Sequence, residues 1–284
     1  VRGAAVRLVP AEPESSLRPI MLRPSDQPAL RQLWTTAFAA PEALQELWSC
    51  DPRRVLVERE GGKVVGACAL SALQLVDGRG ERGMVWLRAL AVREDLRGRG
   101  LGSRLVQRAL RLARSHGREL ALRARHRDLY ARAGLQVAGS VLGGLCTAPA
   151  RLEIPCPRWP ARRVQLRDMA RACALATGGM VPLPGPRLRC LSRHGAARRL
   201  PDHGAAAIVA REGLPWLAAD AKDSAARLVG ALASRVSARP LRIDALPSLL
   251  ERLPGLAVRD LGPWWCSAHE IAGDLPASVL SCLD

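Results

Sequence analysis

Asparagine is absent from this 284-residue chain, and phenylalanine and tyrosine occur once each, as Phe38 and Tyr130. Only two of the 43 basic residues are lysines, Lys63 and Lys222, so 41 are arginines. A deficit of Asn, Lys, Phe and Tyr beside abundant Arg, Ala, Gly and Pro is what GC-rich codon usage produces. The formal charge of +17 is therefore weak evidence of function, although it still attracts polyanions, whatever its origin. Aromatic residues make up 3% of the chain, too few for rows of base-stacking rings. With no helix-turn-helix, zinc-finger or RNP-type pattern, nucleic acid is expected only as a nonspecific partner.

Metal and disulfide frameworks are missing as well. The eight cysteines, Cys50, Cys68, Cys146, Cys156, Cys173, Cys190, Cys266 and Cys282, form no C-x-x-C pair, and no Cys/His group has zinc spacing. They read as reduced, mostly packed thiols. His116, His126, His194, His203 and His269 lie far apart, so no metal is expected. No run of about 18 apolar residues occurs, and the first 20 residues have Arg2, Arg7 and a Pro/Ser stretch where a signal peptide needs an apolar core. The expectation is a soluble cytoplasmic protein without membrane contact. At 48% apolar and 24% charged residues the chain is globular, with length for one large domain or two ordinary ones.

Periodicity orders the first half. After a flexible start over 1–17, Ile20 to Arg23 reads as a short strand, and Ser25 or Asp26 can cap a helix from Pro28 toward Ala39. Arg53–Glu60, Lys63–Leu73 and Met84–Val92 read as strands, the first two joined by a hairpin at Gly61-Gly62. Apolar residues from Leu105 to Ala113 recur at helical spacing within Ser103–Ser115, with Arg104, Gln107, Arg108, Arg111 and Arg114 facing away. Gly117 stops that helix. Glu119–Ala124 reads as a strand and Asp128–Ala133 as a short helix ending at Gly134.

Between the third strand and the long helix lies Leu90-Ala91-Val92-Arg93-Glu94-Asp95-Leu96-Arg97-Gly98-Arg99-Gly100-Leu101-Gly102. A glycine-rich turn entering a helix aims several backbone N–H groups at one point beside the positive end of the helix dipole, which suits phosphate. Between Val85 and Leu135 there are 13 arginines against 4 acids. A Walker loop would need Gly-Lys-Ser/Thr, which is missing. A Rossmann fingerprint would need a glycine at position 103, which is Ser103.

What matches is R-x-x-G-x-G, written Arg97-Gly98-Arg99-Gly100-Leu101-Gly102, and here the chain resembles the GNAT superfamily of acetyl-CoA-dependent N-acetyltransferases. A second match, Asp128-Leu129-Tyr130-Ala131-Arg132-Ala133-Gly134-Leu135, resembles that family's L-Y-x-x-x-G-[FL] segment. Together they cover roughly residues 20 to 140 in the family's element order. The resemblance implies an α/β fold with a mixed, mostly antiparallel central sheet flanked by helices, and acetyl-CoA as co-substrate. It places Arg97, Gly98, Arg99, Gly100, Leu101, Gly102 and Ser103 on the pyrophosphate. The backbone of Leu90, Ala91 and Val92 would lie along the pantetheine arm, with one N–H polarising the thioester carbonyl. Tyr130 would protonate the departing thiolate. A phenol near 10 and a thiol near 8.5 lie close enough for that transfer.

Two positions depart from the family. Arg88 stands where many relatives carry a glutamate base, and Arg123 where an asparagine is common; Glu58 is a weak substitute for the base.

Cys156-Pro157-Arg158-Trp159-Pro160 marks a linker over 151–162, which separates a first domain at 18–150 from a second at 163–284. Arg227-Leu228-Val229, Leu241–Asp244 and Leu249–Leu256 echo the first half, with Leu250 where Tyr130 would fall and no glycine in Asp220–Ala225. The second half reads as a degenerate copy of the first, or as chance matching of Ala/Leu/Arg-rich helices. Leu122–Gln136 is also similar to the tyrosine region of enhanced-intracellular-survival acetyltransferases, which couple an active GNAT domain to a degenerate one. Trp264-Trp265 can serve as a binding platform, a buried strand or a homodimer contact. The acceptor is expected to be a small-molecule or peptide amine; the competing readings are a basic nucleic-acid-binding protein and a coenzyme A-binding module without turnover.

Overall fold

A computed structural model describes residues 22–38, 54–124, 127–147, 152–185, 188–189, 196–210, 213–233, 240–251 and 253–276. The segment 1–17, residues 20–21 of the first expected strand, and Cys50, Cys190 and Cys282 lie outside these. Leu22 and Arg23 lead into a 3-10 turn at Pro24–Asp26 and are not part of a strand. The five described cysteines are buried thiols that form no disulfide with one another.

Helix α1 (Gln27–Ala37) buries Leu30, Leu33 and Trp34. Strands β1 (Val55–Glu60) and β2 (Lys63–Asp77) are antiparallel. Gly61 and Gly62, at φ +56° and +80°, supply the left-handed turn that a two-residue hairpin needs. A second hairpin leads to β3 (Gly80–Val92); its turn is held by Asp77, whose Oδ1 accepts from the N–H groups of Arg79 and Gly80. Helix α2 (Leu101–Ser115) buries Leu101, Leu105, Val106, Ala109, Leu110 and Ala113. It returns the chain to β4 (Glu119–Arg123), parallel to β3. Arg108 departs from the expected solvent-facing set: it donates to Val57 O at 2.9 Å and lies 3.1 Å from Glu58 Oε1. The short α3 (Arg127–Arg132) then precedes β5 (Gln136–Cys146).

The second half runs through α4 (Arg163–Thr177), β6 (Val181–Pro182), β7 (Ala197–Arg199), β8 (Ala205–Ala210), β9 (Gly213–Ala219), α5 (Lys222–Leu232), β10 (Leu241–Ile243), α6 (Pro247–Leu250), β11 (Leu256–Cys266) and β12 (Leu275–Pro276). The twelve strands among the described residues belong to one sheet with the path β1-β2-β3-β4-β11-β5-β10-β9-β8-β7; β12 pairs with β5 and β6 with β2.

That path has the same pattern from either end. Antiparallel strands lead to one parallel pair, β3 with β4 or β9 with β10, each joined by a helix. The next neighbour then comes from the other half: β11 lies against β4, and β5 against β10. The halves thus exchange their closing strands, and β5 and β11 pair along the centre from Leu256↔Cys146 to Cys266↔Gln136.

The largest apolar core follows this exchange, taking Leu73 and Trp86 from one half and Ile208, Trp216 and Trp264 from the other. Cys156, Trp159 and Ala161 belong to it. Within 152–162, the stretch read as a linker, the chain is thus a packed connector; the Trp159 N–H donates to Ala197 O. Trp264 and Trp265 are buried side chains of β11, with Trp264 Nε1 donating to Gly273 O at 2.8 Å.

Neither half can keep its sheet complete without the other, so the chain is expected to unfold in one step. Urea melts followed by far-UV circular dichroism and by tryptophan fluorescence should coincide; two resolved transitions would show that the halves are independent.

Candidate active site

Strand β3 pairs with β4 only from Met84↔Glu119 to Leu87↔Leu122, while its other edge follows β2 as far as Val92. Beyond Leu87 the two parallel strands part. A register break between Ala67 and Ala69 of β2 marks the same place, and Ala89 takes a positive φ of +51°, unusual for a side chain with a Cβ. The bulge is braced from α1: Trp34, 1% exposed, donates its indole N–H to Ala89 O at 2.9 Å.

Past the bulge the ladder resumes, with the Arg93 N–H donating to Val65 O. By the alternation of an antiparallel pair, the Ala91 amide also faces β2, and those of Leu90 and Val92 face the open edge. The three residues expected beside a pantetheine arm therefore line the gap between the parting strands, with two of their amides directed into it.

The chain then makes a 3-10 turn, Glu94–Leu96, and enters α2. Leu96 and Leu101 pack with Val65 and pin both ends of the loop, while Arg97, Gly98, Arg99 and Gly100 between them are exposed. Gly98 and Gly100 have φ +80° and +77°, a region that costs residues with a Cβ about 1 kcal/mol or more. Gly100 is the N-cap of α2 and supplies no side-chain cap. Among the described residues no acceptor receives the amides of Gly98 through Ser103, and the first helical bond is Arg104 N–H to Gly100 O. The first turn thus presents unused donors and the positive end of a 15-residue helix dipole to solvent.

The charges around this turn differ in availability. Arg93 is bound by Asp95 through two bonds, at 2.6 and 3.0 Å. Arg97 lies 4.0 Å from Glu94 and donates to Val92 O at 3.3 Å, with its side chain 58% exposed. Arg104 is 3.8 Å from Glu58. Arg97, Arg99 and Arg104 remain exposed around the turn.

Tyr130 lies in the same layer as α2. It is 7% exposed, in a cluster with Leu105, Val106, Leu122 and Trp265, and its neighbour Leu129 approaches Gly102. Burial pushes the phenol up to about 12, with the Cys68 thiol adding to the effect. Its ring centroid is 6.0 Å from that of Trp265, tilted at 44°. Trp265, on β11, is tied by its indole N–H to Ala124 O at 3.1 Å. No local signal in the sequence pointed to this contact, because the residues are 135 positions apart and belong to different halves.

Glu58 is committed to Arg104 and Arg108 of α2, which ties it to the flank of that helix. Arg88 alternates with Met84 and Trp86 on β3, on the sheet face away from α2. Among the described residues no group of three or more His, Cys, Asp or Glu could hold a metal ion.

Residues 21–135 match the model of the Acetyltransferase (GNAT) family. Among solved structures, the GCN5-related N-acetyltransferase from Kribbella flavida superposes with a TM-score of 0.68 at 17% identity, over 87% of this chain and 70% of that one. One from Anabaena variabilis gives 0.65 at 15% identity, over 86% and 70%. Eis1 from Mycobacterium abscessus gives 0.55 at 20%, over 89% and 73%. No curated protein matches the chain. The chain has the mixed α/β GNAT fold, with a mostly antiparallel sheet flanked by helices.

Tyr130 is the only tyrosine, so tyrosinate absorbance near 295 nm reads it alone. The expected midpoint is about 12 in the folded chain, against about 10 when unfolded. Because the folded value is raised, the associated stability is complete below pH 10 and is lost as pH rises toward 12. A midpoint near 10 with the fold intact would contradict the burial.

Proposed function

We propose that this chain of the GNAT fold is an N-acetyltransferase, moving acetyl from acetyl-CoA to a primary amine of a small-molecule or peptide acceptor. The observation that carries the reading is the uncapped turn at Gly98–Ser103, exposed over Gly98–Gly100, whose amides meet no acceptor among the described residues. A diphosphate supplies the acceptors and negative charge that such a turn lacks. Leu90, Ala91 and Val92 would flank the pantetheine arm, with an outward amide donating to the thioester oxygen as charge develops there.

The amine nitrogen attacks the thioester carbonyl carbon. The C–N bond forms, the C–S bond breaks, and the sulfur leaves with the bonding pair. Tyr130 gives its hydroxyl proton to that thiolate and recovers one from the acylated nitrogen, so the products are an amide and free coenzyme A thiol. Burial makes the transfer harder than the unperturbed values suggest. With the phenol near 12 and a thiol near 8.5, the step is uphill by roughly 3.5 pK units, about 5 kcal/mol. That fits within the barrier of about 16 kcal/mol that a turnover of 10 per second implies, provided the phenolate is transient. Glu58, the candidate substitute base, is paired with two arginines, and the amine is read as arriving neutral and losing its proton after attack.

The second half is read as a GNAT-like unit without a coenzyme site, following a first unit at 18–150. Support comes from the recurring strand pattern, and from the start of α5, where Asp220 and Asp223 stand in place of glycines and arginines. Acids there repel the phosphate that a helix N-terminus otherwise attracts. Among the described residues no helix is long and apolar enough to cross a membrane; the cytoplasm is the proposed site of action.

Isothermal titration should show acetyl-CoA binding, and no heat at millimolar ligand would remove the coenzyme reading. Free-thiol release across a panel of amines should identify acceptors. Tyr130→Phe should lower turnover at least 100-fold while leaving acetyl-CoA affinity within about twofold; unchanged turnover would remove Tyr130 from the chemistry. Tight binding with no transfer to any amine would favour a coenzyme A-binding module, a reading that the committed Glu58 also supports.

A further inference from the structure

The proton donor assigned above has no hydrogen-bonding partner for its hydroxyl among the described residues. No hydrogen bond from the described residues directs the phenol, whose hydroxyl still reaches solvent, so packing of the ring sets its direction. The ring belongs to the apolar cluster beneath α2, with Leu105 and Val106 of that helix and Leu122 of β4. The ring contact comes from Trp265.

Trp265 is held independently of the tyrosine. Its backbone is paired on both sides, with Leu122 of β4 and Val137 of β5. Its indole N–H is fixed on Ala124 O, and the side chain is 3% exposed. Trp264, Trp265 and Cys266 alternate between the two faces of the sheet in register with β4, Trp265 opposite Leu122 and Cys266 opposite Ala121. The two indoles accordingly enter different cores, Trp264 the one shared by both halves and Trp265 the one beneath α2. Tyr130, by contrast, stands on a six-residue helix, too short to hold its own conformation without packing.

We infer that Trp265 is a positioning residue for Tyr130, so that the second half of the chain, through its exchanged strand β11, completes the proton-donor niche of the first. The inference rests on the acetyltransferase reading for its effect on turnover, but the packing relation can be measured without any substrate. It also gives the strand exchange a role in the chemistry: the first half alone would lack one wall of its own site.

The test uses the full-length chain and two readouts, tyrosinate absorbance at 295 nm and thiol release with acetyl-CoA and an accepted amine. Trp265→Leu should open the niche to water and move the Tyr130 midpoint down from about 12 toward 10, and turnover should fall roughly 10- to 100-fold through loss of alignment. Trp265→Phe keeps a ring against the phenol and should restore most of both. In a Tyr130→Phe background, Trp265→Leu should cost nothing further, because the two act as a unit. If Trp265→Leu does not fold, Trp265→Met retains more volume and should show the same changes at smaller amplitude.

An unmoved midpoint in a folded Leu or Met variant would overturn the inference, as would a turnover loss that adds in full to that of Tyr130→Phe. If Tyr130→Phe itself leaves turnover unchanged, the acid role fails, and the titration alone decides whether Trp265 positions the ring.

Discussion

The parting of β3 from β4 after Leu87 and Leu122 is the constraint on which the site depends. Two parallel strands joined by a helix ordinarily stay paired along their length, because each unpaired backbone group forfeits a hydrogen bond. Here β3 keeps its bonds to β2 and gives up those to β4 over its last residues. The Ala89 bulge and the Trp34 indole fix the point of divergence. An edge opened in the middle of a sheet is a cleft with backbone donors along one wall. The same strand delivers the chain to the Gly98–Ser103 turn at the cleft's end, where the α2 dipole adds to those donors.

Rigidity around that opening comes from several directions. Leu96 and Leu101 bury themselves beside Val65, so the ends of the loop that holds Gly98 and Gly100 are fixed. Arg108 and Arg104 reach from α2 to Glu58 on β1 and hold the helix over the sheet. The far side of β4 is closed by β11, so one strand of the parted pair rests on the second half of the molecule. Through the exchange of closing strands the second half supplies sheet, core and the Trp265 contact to the first.

Much of this was legible in the residues. The Gly61-Gly62 hairpin, the α2 stripe from Leu105 to Ala113 and the glycine run at 98–102 are local patterns, each imposed by backbone geometry or helical period, and each recurs in the structure within a few residues of its expected bounds. Periodicity placed Arg108 with the solvent-facing arginines. It says which side of a helix a residue occupies but not that a strand edge lies within reach of a long side chain. The prolines of 155–160 suggested a linker, yet Cys156 and Trp159 among them are core residues. Proline limits backbone shape and leaves burial open. The insertion of β11 between β4 and β5 left no trace in the sequence, because pairing at such separation is decided by tertiary packing. The bulge at Ala89 was hidden for a related reason: alanine carries no preference that would announce a positive φ.

The most direct measurement is an amide chemical-shift titration of the 15N-labelled chain with coenzyme A and, separately, with pantetheine, which shares the arm but has no diphosphate. The account predicts that the Gly98, Gly100 and Gly102 resonances move on adding coenzyme A and stay in place with pantetheine, while Leu90 and Val92 respond to both. Coenzyme A binding that leaves the three glycine amides unmoved would contradict it.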